Sequence, residues 1–515
     1  MNGADALIES LSDAGVEVCF ANPGTSEMQI VAAIGKHPTM RAILGLFEGV
    51  VTGAADGYGR MADKPAVTLL HLGPGLANGC ANLHNARRAR TPVVNIVGDH
   101  AVDHVALDAP LTSDVAGIAR PFSDWVATSI SPDDLAACGV QAVQEAHAYP
   151  GQVATVIVPA DHAWSEGADT APPSGLRKAP VASHDAVSVV AATLTSGGRA
   201  ALFLGGRALR AEALAVAGDI AAATGARLIC ETFPARLQRG EGRVVVENLP
   251  YFGEQAAAFL KDLNAIVLIG AAAPVSFFAY PDKPSWLAPE GGELLTLATP
   301  REDALDALTR LRAAIGAAPG SASLQPLNLP TPAEALTPAA LGAVLAQLAP
   351  ADAVVTDEAV TSGGPIYAMM AGARRHDWLT LTGGAIGQGL PLAVGAAVAC
   401  PDRKVVALQA DGSGMYTLQA LWTMAREDLD VTIILLNNGS YAILNYELAR
   451  VGVNDAGAKA RSLLDLTGPA IDWVSLATGM GVPADRVETV GAFRDALAGA
   501  LGHRGPRLIE VILQR

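Results

Sequence analysis

Short, nearly unbroken hydrophobic runs alternate along this chain with longer amphipathic stretches, and the alternation repeats from end to end. In the first third the runs are Val16–Phe20, Ala66–Leu72, Val93–Gly98 and Ala154–Pro159. In the middle third they are Ala200–Gly205, Ala226–Glu231 and Ala265–Gly270, and in the last third Ala353–Glu358, Lys404–Asp411, Val431–Asn438 and Arg507–Leu513. Runs rich in β-branched residues, each followed by a glycine-rich turn and a helical pattern, predict parallel strands covered on both faces. The pattern fails over residues 165–183 and 314–338, which are rich in Pro, Ala, Gly and Ser and lack periodicity. The expected fold is therefore α/β, with three doubly wound parallel-sheet domains over residues 1–168, 180–318 and 335–515. Ligands in such sheets lie beyond the C-terminal strand ends, so the residues just after each strand carry the functional expectation.

Composition narrows the class. Half of the 515 residues are hydrophobic and 17% are charged, with 53 glycines and 32 prolines, which suits large cores and tight strand-to-helix turns rather than disorder. A formal charge of −16 argues against a nucleic-acid or anionic-membrane partner. The five cysteines are scattered without ligand spacing and read as reduced core residues. The first residues, MNGADALIESLSDAG, are acidic where a signal peptide is basic, and no apolar run approaches the ~20 residues of a membrane span. A soluble, cytoplasmic protein is expected.

The most informative stretch is QADGSGMYTLQALWTMAREDLDVTIILLNNGSYAIL, residues 409–444. One predicted strand ends in Asp411-Gly412-Ser413-Gly414, and the next ends in Asn437-Asn438-Gly439. A hard divalent cation that keeps several waters and takes phosphate oxygens needs one carboxylate and one or two neutral oxygens from the protein. Asp411 and Asn438 supply such a pair, with the Ser440 carbonyl as a third ligand. The glycines let a diphosphate approach the backbone N–H groups of the helix start.

This stretch resembles the thiamine-diphosphate signature of Gly-Asp-Gly, a spacer and Asn-Asn; Asn438 follows Asp411 by 27 positions, and Ala410 stands in place of the first glycine. The resemblance spans the whole chain and identifies it with the 2-keto-acid decarboxylase and acetolactate synthase superfamily. It is closest to benzoylformate decarboxylases through NPGTSE, LLHLGPG, the segment ending in Glu358, DGSGMYTLQALWT and NNGSYAIL. It implies thiamine diphosphate and Mg²⁺ as cofactors, with Gly412, Ser413, Tyr441 and Thr361 at the cofactor. In LTGGAIGQGLPLAVGAAV it implies Ile386 as the apolar wedge between the two cofactor rings and the Gly384 carbonyl as acceptor for the 4′-amino group. Glu48, which opens a helix with Gly49, Gly53, Ala54 and Ala55, matches the glutamate that activates the cofactor through its pyrimidine N1′. Alone, a glutamate there would be a helix-start residue favoured by the dipole.

Two further segments join it: Thr25 in FANPGTSE offers a hydroxyl where the family has serine, and His71 beside GPG can shuttle protons near neutral pH. Thr25 and Ser26 read equally well as a turn or helix cap. The expected reaction is non-oxidative decarboxylation of a 2-keto acid through an enamine. The alternative within enzymes is an acetolactate-synthase-type carboligation, and the alternative outside them a non-catalytic cofactor-binding homologue, against which Glu48 argues. One departure bears on that choice. Benzoylformate decarboxylases carry a second histidine after a GAPV-like strand end, whereas GAAAPVSFFAYPD has Phe277, Phe278 and Ala279. The two phenylalanines belong either to the core or to a tighter, more apolar pocket that suits another 2-keto acid or favours ligation. FAD is not expected, because LFLGGRALR has no GxGxxG fingerprint. The resemblance also implies a homodimer or homotetramer with active sites between subunits, Glu48 and Asp411 serving one cofactor from different chains.

Overall fold

The computed structural model of the chain describes residues 1–453 and 455–514. Three sheets follow one another along it. The first contains β1 (Val18–Asn22), β2 (Arg41–Leu44), β3 (Ala66–His71), β4 (Val93–Asp99), β5 (Trp125–Thr128) and β6 (Val153–Pro159), in the order β2-β1-β3-β4-β6-β5. The second contains β7 (Ala200–Leu204) and β8 (Arg227–Cys230); β9 (Leu237–Arg239) leaves for the third sheet, and β10 (Glu247–Asn248), β11 (Ala265–Ile269) and β12 (Glu293–Ala298) complete the order β10-β8-β7-β11-β12. The third contains β13 (Ala353–Glu358), β14 (His376–Thr380), β15 (Val405–Ala410), β16 (Val431–Asn437), β17 (Ala484–Val487) and β18 (Arg507–Ile512), in the order β17-β18-β16-β15-β13-β14-β9.

Among the described residues every pairing of these strands is parallel except that of β9 with β14, so a short antiparallel edge strand from the middle of the chain seals the third sheet. The central strands β4, β6, β7, β11 and β13 are buried nearly throughout, as continuous β-branched runs require when helices cover both faces. Among the described residues no helix is long and apolar enough to cross a membrane.

The order of strands locates two crevices. In the first sheet the chain runs outward from β1 to β2 on one side and from β3 to β4 on the other, so the switch lies between the ends of β1 and β3. In the third sheet the same reversal falls between β13 and β15. Loops after neighbouring strands diverge at such points and leave a cleft. Helices α1 (Glu48–Ala62), α2 (Leu72–Ala89) and α3 (Gly389–Ala399) fill the space between the two sheets. Gly57 of α1 lies against the Leu392 backbone of α3, which lets the helices approach closely. A buried ion pair anchors α1: the Asp56 carboxylate accepts two hydrogen bonds from Arg60 and one each from Thr91 and Gln388. Arg60 also donates to the Ala235 and Thr380 carbonyls and to Thr382, tying all three parts of the chain together.

Candidate functional site

At the switch point of the third sheet β15 hands over to Asp411, which is buried and opens the turn Asp411–Gly414. Its two oxygens accept backbone N–H groups, from Gly412 at 2.8 Å and from Gly439 at 2.7 Å. Burial pushes the Asp411 carboxyl above its ordinary range, and these N–H groups pull the other way. Asn438 stands at the end of β16, its side-chain oxygen accepting the Ser440 N–H at 2.9 Å. Ser440 donates its hydroxyl to the Leu464 carbonyl, and Tyr441 donates its N–H to the same carbonyl. The Tyr441 ring closes over Gly412, where a Cβ would come within 2.5 Å of ring atom Cε1. The Ser413 hydroxyl donates to the Ala410 carbonyl and accepts from Gln409 Nε2 at 2.6 Å. Asp411, Gly412, Ser413, Asn438, Ser440 and Tyr441 thus lie together at the ends of β15 and β16.

The segment between β14 and α3 forms the other wall. Gly384 has φ of +74°, a conformation glycine takes without strain, and the Phe277 ring lies 2.7 Å from where its Cβ would be. Ile386 is half-buried two residues on. Residues of α2 hold this segment: His84 bonds the Gly383 carbonyl, Asn85 exchanges two hydrogen bonds with Ala385, and Asn82 donates to the Gly387 carbonyl. The same Asn82 amide donates to the Gly49 carbonyl, next to Glu48. Thr361 sits half-buried in the 3₁₀ turn after β13, beside Val360, whose φ of +50° is strained for a β-branched residue.

At the switch point of the first sheet, β1 ends in a turn whose capping box pairs the Gly24 N–H with Glu27 at 2.7 Å. Glu27 is wholly buried, and its Oε2 also lies 2.8 Å from His71 Nδ1. A carboxylate there assigns the proton to Nδ1, so Nε2 is left to accept or deliver one. Ser26 donates to the other Glu27 oxygen at 2.7 Å and lies 3.2 Å from the same imidazole nitrogen. Leu72, immediately after His71, has φ of +52°, a second strained residue at a switch point. Glu48 opens α1 and accepts from Asn78 at 3.0 Å, while its other oxygen and the His71 Cβ both lie against Gly75. Glu48 is half-buried rather than enclosed, because the small residues that follow it on α1 pack against α2 and α3, Gly53 lying against Asn82 and Pro391. Thr25 is exposed at the tip of the turn.

The two phenylalanines are not core residues: Phe277 is 43% exposed and Phe278 54%. They belong to a row of rings that runs Phe233, Phe277, Phe278 and Tyr280, with Tyr251 packed on Phe277. Helix α4 (Ala442–Arg450), which follows Tyr441, closes onto this row. Tyr280 donates to Glu447, and Arg450 makes a bidentate pair with Glu254, whose carboxyl it pulls down to about 2.

Some of these groups escape sequence reasoning. Glu27 sits inside the quoted NPGTSE motif, and its spacing from Gly24 marks a cap, but only folding brings His71 to it. Asn82 and Asn85 carry one usable signal: with Asn78 they form a row of amides at helical spacing on a face otherwise rich in small residues. The chain matches two family models, "Thiamine pyrophosphate enzyme, N-terminal TPP binding domain" over residues 1–118 and "Thiamine pyrophosphate enzyme, C-terminal TPP binding domain" over residues 365–511. The chain belongs to the thiamine-diphosphate-dependent enzymes. It is 52% identical, over its whole length and 99% of the relative, to a Mycobacterium tuberculosis protein named as a candidate acetolactate synthase large subunit, IlvX. It is 29% identical to the benzoylformate decarboxylase of Pseudomonas aeruginosa, over 99% of this chain and 98% of that one. The solved 4-hydroxybenzoylformate decarboxylase of Rhodococcus jostii RHA1 superposes with a TM-score of 0.86 at 27% identity, covering 100% of this chain and 99% of that one.

Proposed function

We propose that this enzyme decarboxylates a 2-keto acid with thiamine diphosphate and Mg²⁺. The observation that carries the reading is the Glu27–His71 pair beside Glu48, a proton carrier oriented by a buried carboxylate next to a second carboxylate. The Asp411 cluster fits a Mg²⁺ diphosphate: one carboxylate and one amide oxygen, each with lone pairs to spare, flank a turn of small residues. Asp411, Asn438 and the Ser440 carbonyl would hold the metal, and Gly412, Ser413, Tyr441 and Thr361 would border the diphosphate. Ile386 and the Gly384 carbonyl would meet the rings.

When bound, thiamine diphosphate would supply a nucleophilic carbon and an electron sink for decarboxylation. Glu48 holds or shares the proton at the pyrimidine N1′. Thr25 offers its hydroxyl to the substrate. His71 receives a proton at Nε2 when the carbonyl is regenerated, or delivers one from it, while Glu27 orients the ring through Nδ1. Glu48 and Asp411 act on one cofactor from two subunits of a homodimer or homotetramer; a monomer by sedimentation would contradict this arrangement.

One observation favours a second outcome. Phe277 lies against Gly384 with Phe278 packed on it, and neither ring holds an exchangeable proton, which favours ligation over protonation. Incubation with pyruvate or benzoylformate, followed by product identification, separates the readings. Aldehyde as the main product supports decarboxylation, and acyloin supports ligation.

A further inference from the structure

The buried carboxylate of Glu358, at the end of β13, belongs to neither the cluster around Asp411 nor the pair around His71, yet it touches both walls of the third-sheet crevice. It is 2% exposed. Oε1 accepts the N–H groups of Gly387 at 2.6 Å and Gln388 at 3.2 Å, and Oε2 accepts that of Gly389 at 2.8 Å. These three residues continue directly from Gly384 and Ile386 into α3. Oε2 also accepts from Gln409 Nε2 at 3.0 Å, and the same amide nitrogen donates to Ser413 at 2.6 Å. All four donors are neutral, so the site holds a desolvated carboxylate whose only visible return is the geometry it fixes. Two residues later Val360 adopts a left-handed conformation unfavourable to a β-branched side chain, so the strand end is held against local strain.

We propose that Glu358 is a positioning residue that locks the two halves of the cofactor cradle in register. Through Gly387, Gln388 and Gly389 it sets the segment carrying Gly384 and Ile386, and through Gln409 it sets Ser413 in the diphosphate turn. An amide in its place would turn an NH₂ group toward backbone N–H donors and release one side of the clamp. The inference rests on the proposed use of this crevice for thiamine diphosphate.

The test is calorimetric titration of the full-length apoprotein with thiamine diphosphate, and separately with inorganic diphosphate, both with Mg²⁺. Glu358→Gln is expected to weaken thiamine diphosphate by about 10- to 100-fold, the range seen when a group that orients binding residues is removed. It should weaken inorganic diphosphate much less, because that ligand has no rings to meet the Gly384 segment. Gln409→Ala cuts only the branch to Ser413 and should weaken both ligands by one smaller factor. A folded Glu358→Gln protein that binds both ligands as wild type does, or loses both by the same factor, overturns the proposal. If this variant does not fold, Glu358→Asp, which keeps the charge but retracts it, must show the same selective loss; unchanged affinities overturn the proposal. Asp411→Ala separates the two ideas: if it leaves thiamine diphosphate affinity intact, the cofactor site itself is misassigned. If it abolishes binding while Glu358→Gln is silent, only the positioning role falls.

Discussion

The two switch-point crevices solve different problems with the same residue type. In the third-sheet crevice two buried carboxylates face neutral donors: Asp411 is capped by backbone N–H groups, and Glu358 by three more and an amide. That wall is complete within one chain and fixed by many short bonds. In the first sheet the carboxylates face groups that can carry protons or solvent: Glu27 faces His71, and Glu48 sits half-buried at a helix start. A cradle must not move, whereas a proton carrier must stay reachable. Under the proposed function, holding the cofactor and moving protons fall to different sheets, with Asn82 bridging Gly49 and Gly387 between them.

Four substitutions would break or sharpen this division, from the largest effect to the smallest. Glu48→Gln removes the carboxylate proposed to hold the N1′ proton and should lower kcat on a 2-keto acid by about 10²- to 10⁴-fold, the usual worth of a positioned acid or base. A turnover unchanged from wild type would remove Glu48 from the chemistry. Asp56→Ala strands the buried Arg60 charge between the two sheets and should cost about 3–5 kcal/mol in denaturant unfolding; a loss below 1 kcal/mol would mean the helices do not depend on that pair. Glu27→Gln leaves the fold but loosens the imidazole, so kcat should fall about tenfold while the affinity for thiamine diphosphate stays put. Equal losses in both would place Glu27 in the cradle instead. Phe277→His restores an exchangeable proton beside Gly384 and should shift the product ratio a few-fold toward aldehyde. No shift would show that the ring row does not face the reacting carbon.

Legibility from sequence followed burial. The continuous strands β3, β4, β6, β7, β11, β13, β15 and β16 appear as apolar runs because helices cover both faces. The edge strands β2, β5 and β17 are partly exposed and mix polar with apolar positions, so no run marks them. Strand β14 is fully buried yet hidden, because it begins His376-Asp377 and its aspartate is satisfied only by Arg236 and Arg403 from elsewhere in the chain. The candidate site divides the same way. Glu48, His71, Asp411 and Asn438 stand at the ends of legible strands or the start of a legible helix and keep motif spacing. Glu27, Asn82, Asn85 and Gln409 gain their roles from partners that folding brings to them, often hundreds of residues away, and Glu358, visible as a strand end, gives no hint of what it holds. Phe277 and Phe278 read as either core or pocket, and their exposure excludes the core.

The proposed reaction is release of CO₂ from a 2-keto acid with thiamine diphosphate. The direct measurement is CO₂ evolution from a panel including pyruvate and benzoylformate, with the apoprotein alone and after adding thiamine diphosphate and Mg²⁺. The account predicts release that appears only with the cofactor and disappears in Glu48→Gln. Cofactor binding with no CO₂ from any 2-keto acid, or release that survives the loss of Glu48, would contradict it.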